Sequence, residues 1–484
     1  MNLRNTSTAN DTNKGPGVCM GGKVAAILST VLLFVHAGSA QTVKQVFAFS
    51  SAHSSPTPGW VIPAQGRDGN LYGTTTGLGV TVTDGIVFKA TTSGKELALH
   101  TFDNIDGAFP FGGVTSATDG SFYGTTANGG NLGFGVLFKI TPGGAYKLLH
   151  EFSGGSDGAY PNAPPIQGWD GNYYGSTGMA TGKGATIYKL TPSGVLTTIF
   201  SFKDDGSEGT QIESALLQAS DGSLYGVGNS GGAQNCGAIF RISRAGMLLY
   251  DYSFPCAAGG AYPAAALIQA SDGNFYGTTE LGGSGVNCSS GCGIVFKMDK
   301  KGPVSILHNF LGGRDDGSDP VAGLVEGTDG NLYGATFQGG TANAGTVFQI
   351  SKSGTETLLH SFTSDVGQWP VASLAQNTNG KFYGVTQSGG TYNEGVLYSL
   401  DMGLGPFITF VLPAGRIGQP AQMLGQGLTG ATSVTFNGIP ATSFTVVKDT
   451  YMTAVVPAGA TTGSVVVTTP TGKLTSNVAF HVLK

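Results

Sequence analysis

The carboxylates whose placement suits acid/base work or cation binding are Asp106, Asp157, Asp205 and Asp316, each followed by glycine, with Asp204 and Asp315 doubling the last two. Paired carboxylates carry glycosidic cleavage, one as acid and the other as base or nucleophile, and clustered ones hold calcium. Asp-Gly is also a plain turn sequence, and for each residue taken alone that is the stronger reading. A second set is aromatic. Phe109, Tyr160, Tyr262 and Trp369 share one repeat position with Pro58, Gln211 and Asp319, and rings so spaced can stack on sugars or pack between neighbouring units. A third set, His100, His150, His308 and His360, shares its position with Phe47, Phe200 and Tyr250. Phenylalanine cannot ligate a metal, so this column is expected to be packing and no metal site is assigned. The sequence contains no His-Glu-x-x-His, and neither a Gly-x-Ser-x-Gly nor a phosphate loop in a strand–helix context. No catalytic residue and no cofactor are therefore expected.

What must position these residues is a repeat. An Asp-Gly pair with Tyr-Gly four residues after the Asp recurs at Asp68, Asp119, Asp170, Asp221, Asp272 and Asp329, with Asn379 at a seventh place, at spacings of 51, 51, 51, 51, 57 and 50 residues. In the sixth copy the pattern reads as four strands: B over 321–326, C over 332–336, D over 345–350 and A over 357–362. A two-residue hairpin turn at Asp329-Gly330 is expected between B and C. Four short strands every fifty residues, with turn chemistry between them and no helical period, describe a β-propeller blade. Seven copies give an all-β, seven-bladed β-propeller over 41–402. Its longest links run from A to the next B, so these join blades and B is the innermost strand. The chain opens on a lone A strand over 43–49 and the seventh copy stops after its D strand, so the N-terminal strand is expected to close the ring. The B–C and D–A turns then share a uniform face, while the A–B links and C–D loops share a variable one that carries the candidate residues.

Four cysteines follow residue 40, an even number that fits disulfides in an oxidising compartment. Cys236 and Cys256 lie symmetrically about Gly246, which centres a D–A hairpin, so they are expected to pair, leaving Cys288 to close a small loop with Cys292. Residues 24–35 are apolar, follow Lys23 and lead into Ala37-Gly38-Ser39-Ala40, the order of a signal peptide over 1–40. Met20 offers an alternative start. Without that segment the chain has 21 basic and 28 acidic side chains, a net charge of −7, which argues against nucleic acid. No transmembrane segment is expected in the mature chain.

The recurrent Leu-Leu-His-x-Phe, Asp-Gly-x-x-Pro, Asp-Gly-Asn-x-Tyr-Gly-Thr-Thr and Gly-x-Val-Phe-Lys-Ile strings, seen through His150, Pro161, Asp272 to Thr279 and Gly293 to Lys297, resemble the GloVer tandem-repeat family of exported bacterial proteins. The resemblance covers about residues 43–400 and implies secretion and a propeller-like repeat, with no catalytic residues to carry over. Residues 405–484 lack the repeat; Ala431 to Ala441 and Val455 to Gly463 resemble an IPT/TIG domain, an immunoglobulin-like β-sandwich used on surface proteins. The combined expectation is a secreted or cell-surface, non-catalytic recognition or scaffold protein that binds an extracellular glycan or protein on the variable face. A polysaccharide hydrolase or lyase using carboxylates such as Asp205 and Asp316, and a structural protein without ligand, are the alternatives.

Overall fold

The computed structural model describes residues 41–50, 58–59, 62–77, 84–178, 184–203, 205, 209–299 and 302–484; the expected signal peptide lies outside them. The described chain is all-β and propeller-like, with a single short 3-10 turn at Ala257–Gly259. Among the described residues the repeat region forms seven antiparallel sheets, six of four strands and the last of five. In one of them Val325–Glu326, Leu332–Thr336, Thr346–Ile350 and Glu356–Ser361 lie side by side in chain order, the B-C-D-A order of the repeat. In the last, Ala375–Gln376, Phe382–Ser388 and Val396–Asp401 are completed by Thr42–Ala48. Val43 there faces Leu400 and Ala48 faces Val396, so the first strand and the last repeat share a sheet.

The recurrent Tyr-Gly has a packing cause. The C strand is buried along its length, and its glycine stands directly across from a D-strand aromatic: Gly334 pairs with Phe348. A Cβ on Gly334 would lie 2.4 Å from the Phe348 ring, so only glycine fits. That ring in turn meets the phenylalanine ending the A strand of the previous sheet, with Phe310 and Phe348 centroids 5.1 Å apart edge to face. Phe102–Phe138, Phe202–Phe240 and Phe362–Tyr398 repeat the contact, and Phe49–Phe88 at 5.5 Å makes it between the last sheet and the first. Each such pair adds about 0.5–1.5 kcal/mol beyond area burial.

A polar clasp runs beside this apolar seam. The side chain ending each B strand accepts a backbone N–H from the B–C turn of the preceding sheet: Gln167 from Thr118 at 2.9 Å, Gln218 from Trp169 at 2.9 Å, Gln269 from Ser220 at 2.7 Å, Glu326 from Ser271 at 2.7 Å and Gln376 from Thr328 at 3.1 Å. Gln65 does the same for Thr378 at 2.9 Å, 313 residues away, which closes the ring. The second sheet departs from this: Ser116 holds the clasp position opposite Phe122.

Two local expectations need correction. The B strand spans only Val325–Glu326 rather than 321–326. The inner strands converge on the axis, where no partner exists for longer ladders, and Val321 and Ala322 instead line the axial space. The B–C turn is a three-residue loop, not two: Gly327 N–H bonds the Asn331 carbonyl at 2.8 Å, and only Gly330 takes a positive φ, 82°, as a type I turn followed by a left-handed glycine does.

Residues beyond 403 form two four-stranded antiparallel sheets around their own core. Thr409–Phe410, Pro420–Leu424, Tyr451–Val455 and Phe444–Lys448 make one, and Ile439–Pro440, Ser433–Phe436, Val465–Thr469 and Gly472–Thr475 the other. Met423, Met452, Phe436, Val465 and Phe480 fill the space between them. This region lies on B–C turns of the ring. Gln422 Nε2 donates to the Thr118 carbonyl at 2.9 Å, Thr450 Oγ1 to the Arg67 carbonyl at 2.8 Å, and Thr378 Oγ1 to the Gly425 carbonyl at 3.0 Å. Arg67 sits over the Tyr451 ring and donates to the Thr118 carbonyl and to Gln422.

The structure pairs Cys236 with Cys256 and Cys288 with Cys292, at Cα separations of 5.4 and 5.3 Å. Peptide mapping without reduction should return these two cross-links; a Cys236–Cys288 peptide would overturn them. Deleting residues 41–50 removes the outer strand of one sheet together with the buried Phe47 and Phe49, and should cost at least about 5 kcal/mol. An unchanged melting temperature would show that the first strand does not hold the ring.

Candidate functional site

On the turn face, the repeat aspartates are fully engaged. Tyr333 Oη donates to Asp329 Oδ2 at 2.8 Å while Asp329 Oδ1 accepts the Asn331 N–H at 3.2 Å. Tyr72, Tyr123, Tyr174 and Tyr276 make the same bond at 2.8–2.9 Å. The D strand adds a cation, with Lys89 and Lys139 each 2.6 Å from Asp68 and Asp119. Burial pushes the Asp68 carboxyl up, but Lys89, Asn70 and Tyr72 together hold it below its ordinary value, and Asp119 and Asp272 behave alike. These groups hold the turns, and the C-terminal sheets cover part of this face.

The opposite face opens on the axial space, a cavity of about 410 Å³ whose wall includes Gly112, Asn162, Ala264, Val321 and Val371 from successive sheets and whose floor includes Phe410 and Leu424 of the C-terminal region. A few residues before these wall positions comes the aromatic column. Phe109, Tyr160, Tyr262 and Trp369 have φ of 56°, 54°, 59° and 59°, and Gln211 and Asp319 in the same column have 52° and 54°. Left-handed backbone disfavours bulky side chains, and here hydrogen bonds from both neighbouring segments impose it. Trp369 N–H bonds the Ala344 carbonyl in the loop of the previous sheet at 2.8 Å; Tyr262 bonds Cys236 at 2.9 Å, and its own carbonyl accepts the Glu280 N–H at 3.1 Å. The backbone hook thus does the bridging between sheets, and it does so at Asp319 as well, where the N–H bonds the Cys292 carbonyl at 3.1 Å, so it does not require a ring. Phe109, Tyr160 and Tyr262 are half-buried and Trp369 is 37% exposed. Partial packing remains, as between Phe337 and Trp369 at 6.0 Å.

The aspartates of the A–B links lie elsewhere. Asp106 and Asp157 turn to the outermost strands, where their carboxylates meet His100 and His150 Nε2 at 2.8 and 3.0 Å. Asp316 lies 4.0 Å from His308, and Asp205 is exposed in a turn, with Asp204 outside the described residues. The structure does not bring these four together or turn Asp106, Asp157 and Asp316 toward the axis. The histidine column, expected as packing, does set its rings edge-on against phenylalanines two residues on, as His308 does on Phe310 at 4.9 Å, but it also meets these aspartates. Around His308, Asp316 and Glu356 the ligating atoms all lie within 4.8 Å of one another. Burial, and then Asp316, pushes the Glu356 carboxyl up to about 7, while burial lowers the His308 imidazole against the pull of Asp316.

The carboxylates on the axial side are ones that no sequence signal singled out. Glu213 lines the cavity, and burial raises its carboxyl above the ordinary value. Glu280, at the end of a C strand, is raised by burial and then by the charges of Asp319 and Glu213, and Asp319 is raised by burial. Tyr392, 55% exposed in the last C–D loop, was missed as well; neither residue type recurs at its position, so comparing repeats could not mark it. A carboxyl whose folded pKa is raised stabilises the fold fully below its unfolded pKa, and that contribution is lost as pH rises through the folded pKa. Glu280→Gln should therefore raise the melting temperature at pH 7 by roughly 1–2 °C, with the gain fading near pH 3–4; a gain independent of pH would refute this placement of charge.

No curated protein matches this chain. Among solved structures, a periplasmic gluconolactonase of Pseudomonas aeruginosa is similar at 16% identity and a TM-score of 0.43 over 69% of this chain and 97% of its own. A protein of unknown function from Bacteroides thetaiotaomicron reaches 14% and 0.41 over 75% and 76%, and a gluconolactonase of Xanthomonas campestris 12% and 0.38 over 75% and 90%. No described helix is long and apolar enough to cross a membrane. The Gloeobacter/Verrucomicrobia repeat matches residues 32–185, 170–288 and 285–430, most of the sequence and all seven sheets, and the chain belongs to the Gloeobacter/Verrucomicrobia repeat family.

Proposed function

We propose that the chain is an exported seven-bladed β-propeller with an immunoglobulin-like domain of the IPT/TIG kind at 405–484, and that it is a non-catalytic recognition protein whose loop-rich face binds an extracellular glycan. The observation that carries this reading is the aromatic column. Four of its members are bulky rings held in left-handed backbone and left partly open to solvent beside the axial cavity. The hook that bridges neighbouring sheets works equally with Asp319, so fold alone does not account for the rings. Rings on a rigid rim, above a blind apolar cavity, suit the stacked faces of a sugar chain. The paired disulfides fit an oxidising compartment.

A second reading is favoured by one further observation: Glu213, Glu280 and Asp319 are carboxyls raised by burial on the same axial side, as a general acid in polysaccharide cleavage must be. It moves the acid/base role away from Asp205 and Asp316. Reducing-end release from a polysaccharide panel, abolished by Glu280→Gln and Glu213→Gln, would establish it in place of simple binding.

Replacing Trp369 and Tyr262 together by alanine should leave the fold intact and weaken glycan-array binding by roughly 1–3 kcal/mol, as for other aromatic stacking contacts. A double variant that melts several degrees early, or one that keeps every glycan the parent binds, would remove the column as a binding site.

A further inference from the structure

Comparison of the rim junctions shows one unlike the others. At four junctions a histidine on the outermost strand, His100, His150, His308 or His360, is followed by an aspartate in the next link, and the following outermost strand begins with Tyr146, Leu196, Glu356 or, after His360 and Asp365, presents Val43 of the N-terminal strand at that position. Where that residue is Tyr146, its ring stacks on His100 at 4.0 Å and its hydroxyl donates to the Asp106 carbonyl at 2.6 Å, and His100 and Asp106 stand 2.8 Å apart. Where it is Leu196, His150 and Asp157 bond at 3.0 Å. Where it is Glu356, the pair is opened to 4.0 Å. His308 Nε2 and Glu356 Oε1 are then both buried without a hydrogen-bond partner, while Asp316 takes the N–H groups of Leu311 and Gly317 at 2.7 Å each. Among the described residues no lysine or arginine pairs with either carboxylate. Two half-buried carboxylates side by side with an unpartnered imidazole form an arrangement that protein groups alone leave unbalanced, since a polar atom taken from water and left unmatched costs stability.

We propose that His308, Asp316 and Glu356 bind one divalent transition-metal ion, with Zn²⁺ the best match. One imidazole nitrogen and two carboxylate oxygens are the donors of zinc and its neighbours, whereas calcium and magnesium take oxygen alone and thiolate-seeking metals take sulfur. Ligands about 2.1 Å from a tetrahedral zinc stand roughly 3.4 Å apart, so rotation of side chains closes the 4.0 Å gap. His308 and Asp316 come from one sheet and its exit link, and Glu356 from the next sheet. The ion therefore staples two neighbouring sheets at their outer edge, with its fourth position left to water.

The repeat itself supplies variants that fold. Phe47 and Phe200 occupy the His308 position and Leu196 and Leu248 the Glu356 position, so His308→Phe and Glu356→Leu install side chains that the same architecture already accepts. The full chain, stripped with EDTA and desalted, is titrated with Zn²⁺ by calorimetry and melted with and without the ion. The expected result is one equivalent bound and a higher melting temperature, with affinity at least about tenfold weaker in either variant and unchanged in His150→Phe. Absence of Zn²⁺ uptake by the parent chain, or variants that bind as the parent does, would overturn the site. Because the parent titration stands alone, a variant that fails to fold does not shield the proposal.

Discussion

The hydrogen bond from the C-strand tyrosine to the turn aspartate four residues before it fixes everything built on the repeat. It ties the innermost hairpin to the buried strand, sets which face each C-strand residue shows, and so aims the following glycine at the D-strand ring. That ring reaches the phenylalanine of the previous sheet. One local bond thus sets the register on which every contact between sheets depends, and where asparagine replaces aspartate at 379, its amide keeps the link by donating to Tyr383 at 3.0 Å.

The parts of this architecture legible in the sequence are those that recur. The Asp-Gly-x-x-Tyr-Gly period marked the repeat, the order of strands and the all-β, propeller-like class, because each repeat is one supersecondary unit with its own copy of the signal. Contacts between columns were not legible. His100 meets Asp106 because the outermost strand bulges between Val87 and Phe88 on its partner, and no period reports a bulge. Glu356 was hidden for the opposite reason: its column also holds Glu96, Tyr146, Leu196, Leu248 and Val304, so it read as a strand start. The aromatic column was visible as a column, but its left-handed backbone was not, since Phe, Tyr and Trp are the residues least expected there. The axial carboxylates Glu213 and Glu280 lacked any repeat partner, and only the packing of neighbouring sheets brings Glu280 near Glu213 and Asp319.

The two faces of the ring are chemically unequal. On one, every repeat aspartate is spent on turns and the C-terminal sheets lie across the axis; on the other, the cavity opens among loops that differ from sheet to sheet. Rigidity comes from the first face and variety from the second. This is the division that lets loops change without disturbing a core. The disulfides follow the same division, since both join segments of the variable side, Cys236 to Cys256 between a loop and the next link and Cys288 to Cys292 within the longest loop.

The missing clasp at Ser116 gives the ring an orientation. Around a near-symmetric circle of sheets a partner resting on the inner turns would meet almost the same surface at every step of rotation, with nothing to choose among them. Serine is too short to bridge to the preceding turn, which holds Arg67, and at that one step the Arg67 side chain reaches forward to the Thr118 carbonyl, which Gln422 also meets, so the C-terminal sheets drop into the gap like a key into a notch. A single side-chain shortening therefore converts a rotationally ambiguous platform into an indexed one. Whatever the C-terminal sheets present to the outside is held at a fixed bearing relative to the loops that surround the cavity mouth.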